Sequence, residues 1–117
     1  AEKKTNLRFD EIGVSLISLF ELQAKAAKLR VPADVVNNST KAILETFTVI
    51  PFSDSNVVEL SFRLREGMAD YIDCVIVGTA AAHREDLVTE DSKIWRARKS
   101  LRDEYGINVR RYKDIIE

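Results

Sequence analysis

Apolar positions along this chain follow two periods, and each change of period marks an element. Val14 to Ile17 is a short run with β-branched content that predicts a strand, after which Leu19, Leu22, Ala26 and Leu29 recur at helical spacing. Pro32 at a first helical position opens a second helix with Val35, Val36, Ile43, Leu44 and Phe47 as its inward candidates, so the two helices form a hairpin. Thr48 to Phe52 is a strand by propensity, and the Ser53-Asp54-Ser55-Asn56 cluster caps a helix that runs through Leu64 and stops at Gly67.

From Ala69 to His83 the pattern changes. Ile72, Cys74, Val75, Ile76, Val77, Ala80, Ala81 and Ala82 leave little polar face, as expected of a helix buried nearly all round. Leu87-Val88 predicts a very short strand, Asp91 to Tyr105 a polar helix that Gly106 stops at C′, and Ile107 to Val109 a last strand before a terminal turn. Helices placed between strands in this way predict an α/β fold of three layers, a mainly parallel central sheet with helices on both faces.

Length and a hydrophobic content of 45% suit one globular domain over residues 1–117. The single cysteine, Cys74, reads as a small core hydrophobe and favours a reducing compartment. No run approaches the roughly 20 apolar residues of a membrane span, so a soluble, cytoplasmic protein is expected. The net charge of −1 gives no general argument for nucleic acid, but residues 93–113 carry +6 and the remainder −7. Arg98, Arg102 and Arg110 in that basic segment are candidate contacts to a phosphate backbone, although a charge run on a helix is more often its solvated face.

The chain has no Gly-rich phosphate loop, no His-Glu-x-x-His, no Cys-x-x-Cys and one histidine, His83, which argues against zinc sites and nucleophilic triads. What remains is acid. Glu21 follows the first strand, Asp73 lies near the start of the buried helix and Asp91 follows Leu87-Val88, all near strand ends where open α/β folds place their sites. Clustered carboxylates repel one another unless a cation neutralises them, and hard Mg²⁺ or Mn²⁺ suits oxygen donors and phosphodiester hydrolysis. Each acid also has a plainer role. Ser18-Leu19-Phe20-Glu21 is a capping box, Asp70 and Asp73 suit a helix dipole, and Asp91 suits an N-cap. His83 is expected to complement a helix end, and Trp95, Tyr71, Tyr105 and Tyr112 to pack rather than stack bases.

The joint spacing of Asp73-Cys-Val-Ile-Val-Gly-Thr-Ala-Ala-Ala-His83 and Leu87-Val-Thr-Glu-Asp91 resembles the C-terminal half of the PIN domain. There an Asp opens a helix with a Thr-Ala step, here Thr79-Ala80, and a strand ends in Val-Thr-x-Asp, here Val88 to Asp91, eighteen residues after Asp73. Val14 to Glu21 likewise resembles the family's second strand and the helix carrying its acid, and the likeness is to prokaryotic, especially archaeal, members over residues 13–112. The resemblance implies a Mg²⁺- or Mn²⁺-dependent endoribonuclease, commonly the toxin of a VapBC-type toxin–antitoxin pair and often a homodimer. It makes Glu21, Asp73 and Asp91 metal-site and catalytic acids, Thr89 a supporting hydroxyl and Asp70 an extra ligand or substrate contact. The alternatives are a PIN-like scaffold that does not cut, an RNA-binding module built on residues 93–113, or a doubly wound receiver-type domain, which would need paired acids after the first strand and a Lys near the site that the sequence does not offer.

One feature of the family has no counterpart here, an opening central strand that ends in Asp-Thr or Asp-Ser. Nothing in Ala1 to Ile12 matches it, so an upstream segment or a neighbouring chain is expected to supply that strand and its acid. Intact-mass analysis with the full reading frame checks this, and a gene starting at Ala1 with a folded monomer of this mass would contradict it.

Overall fold

The computed structural model describes residues 12–115, and the chain divides into two compact units, residues 12–52 and 53–115 of those described. In the first unit, strand β1 (Gly13–Ser15) leads into helix α1 (Leu16–Lys28), then α2 (Ala33–Thr46) and strand β2 (Thr48–Ile50). The two strands pair in parallel, Val14 against Val49, and the Thr48 amide extends the ladder by donating to the Ile12 carbonyl at 3.1 Å.

This unit departs from its sequence pattern in two ways. Helix α1 begins at Leu16 rather than Leu19, with Ser15 as an N-cap that makes no side-chain bond, so Ser18 is a helix-interior residue and the Ser18–Glu21 capping box does not form. Strand pairing ends at Ser15, and Ile17 joins the helix despite its β-branched side chain, because packing outweighs a weak local propensity. The apolar positions also do not all turn inward. Val36 and Ile43 form a half-buried stripe on one face of α2, with half-buried Phe47 just past its end, whereas Val35 and Leu44 are exposed. Nine residues apart, those two lie two and a half turns from each other and on opposite sides of the helix. On α1, Leu19 is buried, while Leu22 and, past the helix end, Leu29 are exposed.

The second unit consists of α3 (Ser55–Leu64), α4 (Tyr71–Ala82), β3 (Leu87–Val88), α5 (Ser92–Arg96), α6 (Arg98–Tyr105), β4 (Val109–Arg110) and the short turn α7 (Tyr112–Ile115). Asp54 caps α3 by accepting from the Asn56 amide at 2.8 Å, as the Ser/Asp/Asn cluster predicts. Leu64, Cys74, Val77, Ala80, Ile94, Leu101 and Ile107 form its core. The expected helix through Tyr105 is broken at Ala97, whose backbone (φ −86°, ψ 0°) closes α5 before α6 begins. Ile94 and Leu101 both reach the core from the two sides of that break. Gly106, at φ 70°, caps α6, and its amide donates to the Arg102 carbonyl.

Strands β3 and β4 pair in parallel over two residues each, with Leu87 against Val109. So short a ladder is reinforced by Asp86, which accepts from the Asn108 backbone and side chain at 3.3 Å and from Arg110 Nε at 3.0 Å. Burial alone would raise the Asp86 carboxyl, but the bonds from Arg110 and Asn108 outweigh it and hold the group below its ordinary value. All strand pairs among the described residues are parallel and alternate with helices, an α/β fold. They form two separate two-stranded ladders, β1 with β2 and β3 with β4. No helix among the described residues is long and apolar enough to cross a membrane.

Helices α3 and α4 share the most extensive packing of any pair of elements. Val57, Ser61 and Leu64, at i, i+4 and i+7, form the buried stripe of α3, and Gly78 of α4 meets it. A Cβ at position 78 would lie 2.6 Å from Ser61 Oγ, 3.2 Å from Ser61 N and 3.3 Å from the Val57 carbonyl. Ser61 is not free to move, because its hydroxyl donates to the Val57 carbonyl at 2.6 Å. Gly78→Ala should therefore lower stability by about 1–3 kcal/mol despite its better helix propensity, read as a drop in urea midpoint at unchanged slope. An unchanged or raised midpoint would mean that α3 and α4 do not approach this closely.

Candidate functional site

The start of α4 gathers the site's chemistry. Asp70 is the N-cap, its Oδ1 accepting from the Ile72 amide at 2.9 Å, and Asp73 stands one turn on, only 8% exposed. Both carboxylates line one cleft of about 410 Å³ with Gly67, Met68, Ala69, Ala97 and Lys93. Both charges bear on the neighbouring Cys74. Its thiol is pushed up by burial first and then by the negative charges of Asp73 and Asp70. The sequence reading of Cys74 as a small core hydrophobe holds, since it is fully buried with Sγ 3.5 Å from the Met68 carbonyl.

Asp91 caps α5, its Oδ1 accepting from the amides of Lys93 at 2.8 Å and Ile94 at 3.0 Å. Thr89 prepares that turn, its hydroxyl accepting from the Asp91 amide at 3.1 Å. The helix that Asp91 starts carries Lys93, so this acid orients one wall of the cleft lined by Asp70 and Asp73. Glu21 belongs to the other unit, where it is exposed in the second turn of α1 rather than the first. Among the described residues, no group of three or more His, Cys, Asp or Glu side chains is arranged to hold a metal ion. The pair that does share a cleft offers hard oxygen donors, and one or two carboxylates are the usual protein contribution to a Mg²⁺ that keeps several waters. The donor set therefore fits a hydrated Mg²⁺ or Mn²⁺.

The basic segment is less uniform than its sequence. Arg110 is held by Asp86 at 3.0 Å, and Arg102 lies 3.7 Å from Asp103. Arg98 instead lies over the Trp95 ring, 4.3 Å from its centroid, with Nη1 donating to the Trp95 carbonyl at 2.9 Å. Arg111 approaches the same ring at 4.5 Å. Trp95 thus packs, as expected, but against two cations. His83 bonds through Nδ1 to the Thr79 carbonyl at 2.9 Å at the end of α4. Sequence reasoning missed Lys93 and Arg111 as individuals. The i, i+3 spacing of Trp95 and Arg98 is a visible signal for one contact, whereas Arg111 arrives through the β3–β4 pairing and leaves no local trace.

A family model of the PIN domain matches residues 1–100. No curated protein matches. A solved structure described as a toxin–antitoxin complex from Klebsiella pneumoniae is similar at 29% identity and a TM-score of 0.55, the match covering 69% of this chain. The chain spans 63% of the length of that structure's chain.

The capping role of Asp91 can be tested directly. Asp91→Asn keeps an oxygen that accepts the Lys93 and Ile94 amides, whereas Asp91→Ala removes the cap. The alanine variant should lose about 0.5–2 kcal/mol of stability and the asparagine variant little, measured by chemical denaturation. Equal stability of the two would remove the capping role.

Proposed function

This chain belongs to the PIN domain family, and from that premise we propose that it is a Mg²⁺- or Mn²⁺-dependent endoribonuclease that hydrolyses RNA phosphodiester bonds, the toxin of a toxin–antitoxin pair. The observation that carries the proposal is the buried carboxylate of Asp73 sharing a cleft with Asp70 and Lys93, beside the helix that Asp91 starts. The similar complex from Klebsiella pneumoniae supports an antitoxin as partner. Self-association as a homodimer and action in the cytoplasm belong to the same proposal.

Asp70 and Asp73, which share the cleft, are the residues that would hold the ion, with Asp91 at the start of the adjoining α5; Glu21, the third acid of the sequence reading, belongs to the other unit. Bound there, Mg²⁺ or Mn²⁺ supplies a water acidified for attack and neutralises charge on the phosphate. The chain's own part is positional. Asp73 is fixed by its place in a helix packed on α3, and Asp70 and Asp91 are fixed by the amides they cap. Lys93 brings a positive charge into an otherwise acidic cleft, where it attracts an anionic substrate and limits repulsion between the acids. Thr89 holds the turn from which Asp91 starts α5.

The test is cleavage of a single-stranded RNA by the full gene product with Mg²⁺, with Mn²⁺ and with chelator. Divalent-dependent cleavage is expected, with Asp73→Asn reducing it at least a hundredfold while the thermal transition is kept or raised, since one of two neighbouring negative charges is gone. Undiminished cleavage by Asp73→Asn would remove that residue from the mechanism. No cleavage by the wild type would favour a scaffold that binds without cutting.

A further inference from the structure

We propose that Arg98, Trp95 and Arg111 form a subsite for the phosphodiester backbone of a single-stranded nucleic acid, next to the acidic cleft. The inference deepens the nuclease reading by naming how substrate is held, and it rests on that reading for the identity of the strand. Its basis is a pair of like charges gathered on one indole. Guanidinium carbons of Arg98 and Arg111 lie 4.3 and 4.5 Å from the Trp95 ring centroid. Each cation–π contact is favourable, but bringing two cations to one ring also adds repulsion that an anion would relieve.

Three other arginines of this unit are matched by acids. Arg63, Arg102 and Arg110 each have a carboxylate within 4.0 Å, from Glu59, Asp103 and Asp86. Among the described residues neither Arg98 nor Arg111 has such a partner. Arg98 commits one N–H to the Trp95 carbonyl, and no side-chain hydrogen bond of Arg111 occurs among the described residues. Two planar forks with donors to spare, held on a rigid ring, match phosphate oxygens in shape and charge. Because the arginines cover the indole, the ring is an anchor for them and not a platform for a base, so the subsite reads backbone rather than sequence.

Its position suits a substrate contact. Trp95 lies one turn along α5 from Asp91, and its amide donates to the Asp91 carbonyl at 3.0 Å. A strand held at Arg98 and Arg111 would therefore run beside the helix that borders the cleft. This reassigns the basic segment's contribution. Arg110 and Arg102 are engaged with acids, whereas Arg98 and Arg111 are gathered on the one Trp95 ring.

The experiment measures binding of a labelled 12-nucleotide single-stranded RNA of mixed sequence to the full chain carrying Asp73→Asn, over a series of KCl concentrations. Arg98→Gln with Arg111→Gln should weaken binding about tenfold at low salt and reduce the log–log salt slope by about 1 to 1.5, as expected for two lost phosphate contacts. Trp95→Leu should show a similar loss and Trp95→Phe, which keeps a ring, much less. A DNA strand of the same sequence should lose the same factor. Unchanged RNA affinity and slope in the double arginine variant, with a wild-type melting transition, would overturn the subsite. So would a loss confined to RNA, which would point to the 2′-hydroxyl, or a loss of binding to a poly-aspartate peptide with RNA affinity intact, which would point to an acidic protein partner. Cleavage with wild-type binding in the double variant would remove the subsite and leave the nuclease, whereas arginine-dependent binding without divalent-dependent cleavage would do the reverse. A wild-type chain that binds no single strand would remove the subsite outright.

Discussion

The close approach of α3 and α4 is the constraint on which the rest of the second unit depends. It requires a residue without a Cβ at Gly78 and a small one at Ser61, and it turns nearly the whole of α4 inward. Close packing of this kind has two discrete outcomes, docked or not, because protein interiors accommodate even a methyl group poorly. A docked α4 places Asp70 and Asp73 at one end and the Thr79–His83 turn at the other. The acids owe their positions to apolar contacts they do not themselves make.

The positioning of the acids also explains why each looked ordinary when taken alone. Asp70 and Asp91 are N-caps, and the local patterns that suggest caps are right about them. Capping uses one carboxylate oxygen to satisfy helix amides and holds the side chain still, which suits the chemical role proposed for these residues. Glu21 goes the other way. Its local pattern suggests a capping box, yet α1 starts three residues early and the box has no helix end to close.

Much of the second unit was legible because its signals are local. The all-round apolar helix, the capped start of α3 and the glycine that closes α6 each follow from a few adjacent residues, and each is found within two residues of its expected place. What was not legible depends on partners distant in sequence. Strand pairing decides where β1 stops, the core decides that α5 and α6 break at Ala97 to present Ile94 and Leu101 together, and β3–β4 pairing brings Arg111 to Trp95. Asp86 belongs to this group, an acid that passes unnoticed in sequence and holds a two-residue ladder through Asn108 and Arg110, more than 20 positions away.

Cys74 gives the chain a built-in reporter. Its sulfur is sealed in the core, and burial and the adjacent carboxylates both disfavour the thiolate, so the native state shields it from an alkylating reagent. Labelling must wait for α4 to lift from α3. When reclosing is fast, the labelling rate measures the equilibrium fraction of molecules in which that helix is open, the same quantity that amide exchange samples. The breathing of the helix that carries Asp70 and Asp73 can thus be followed at one atom, without adding a probe to the protein.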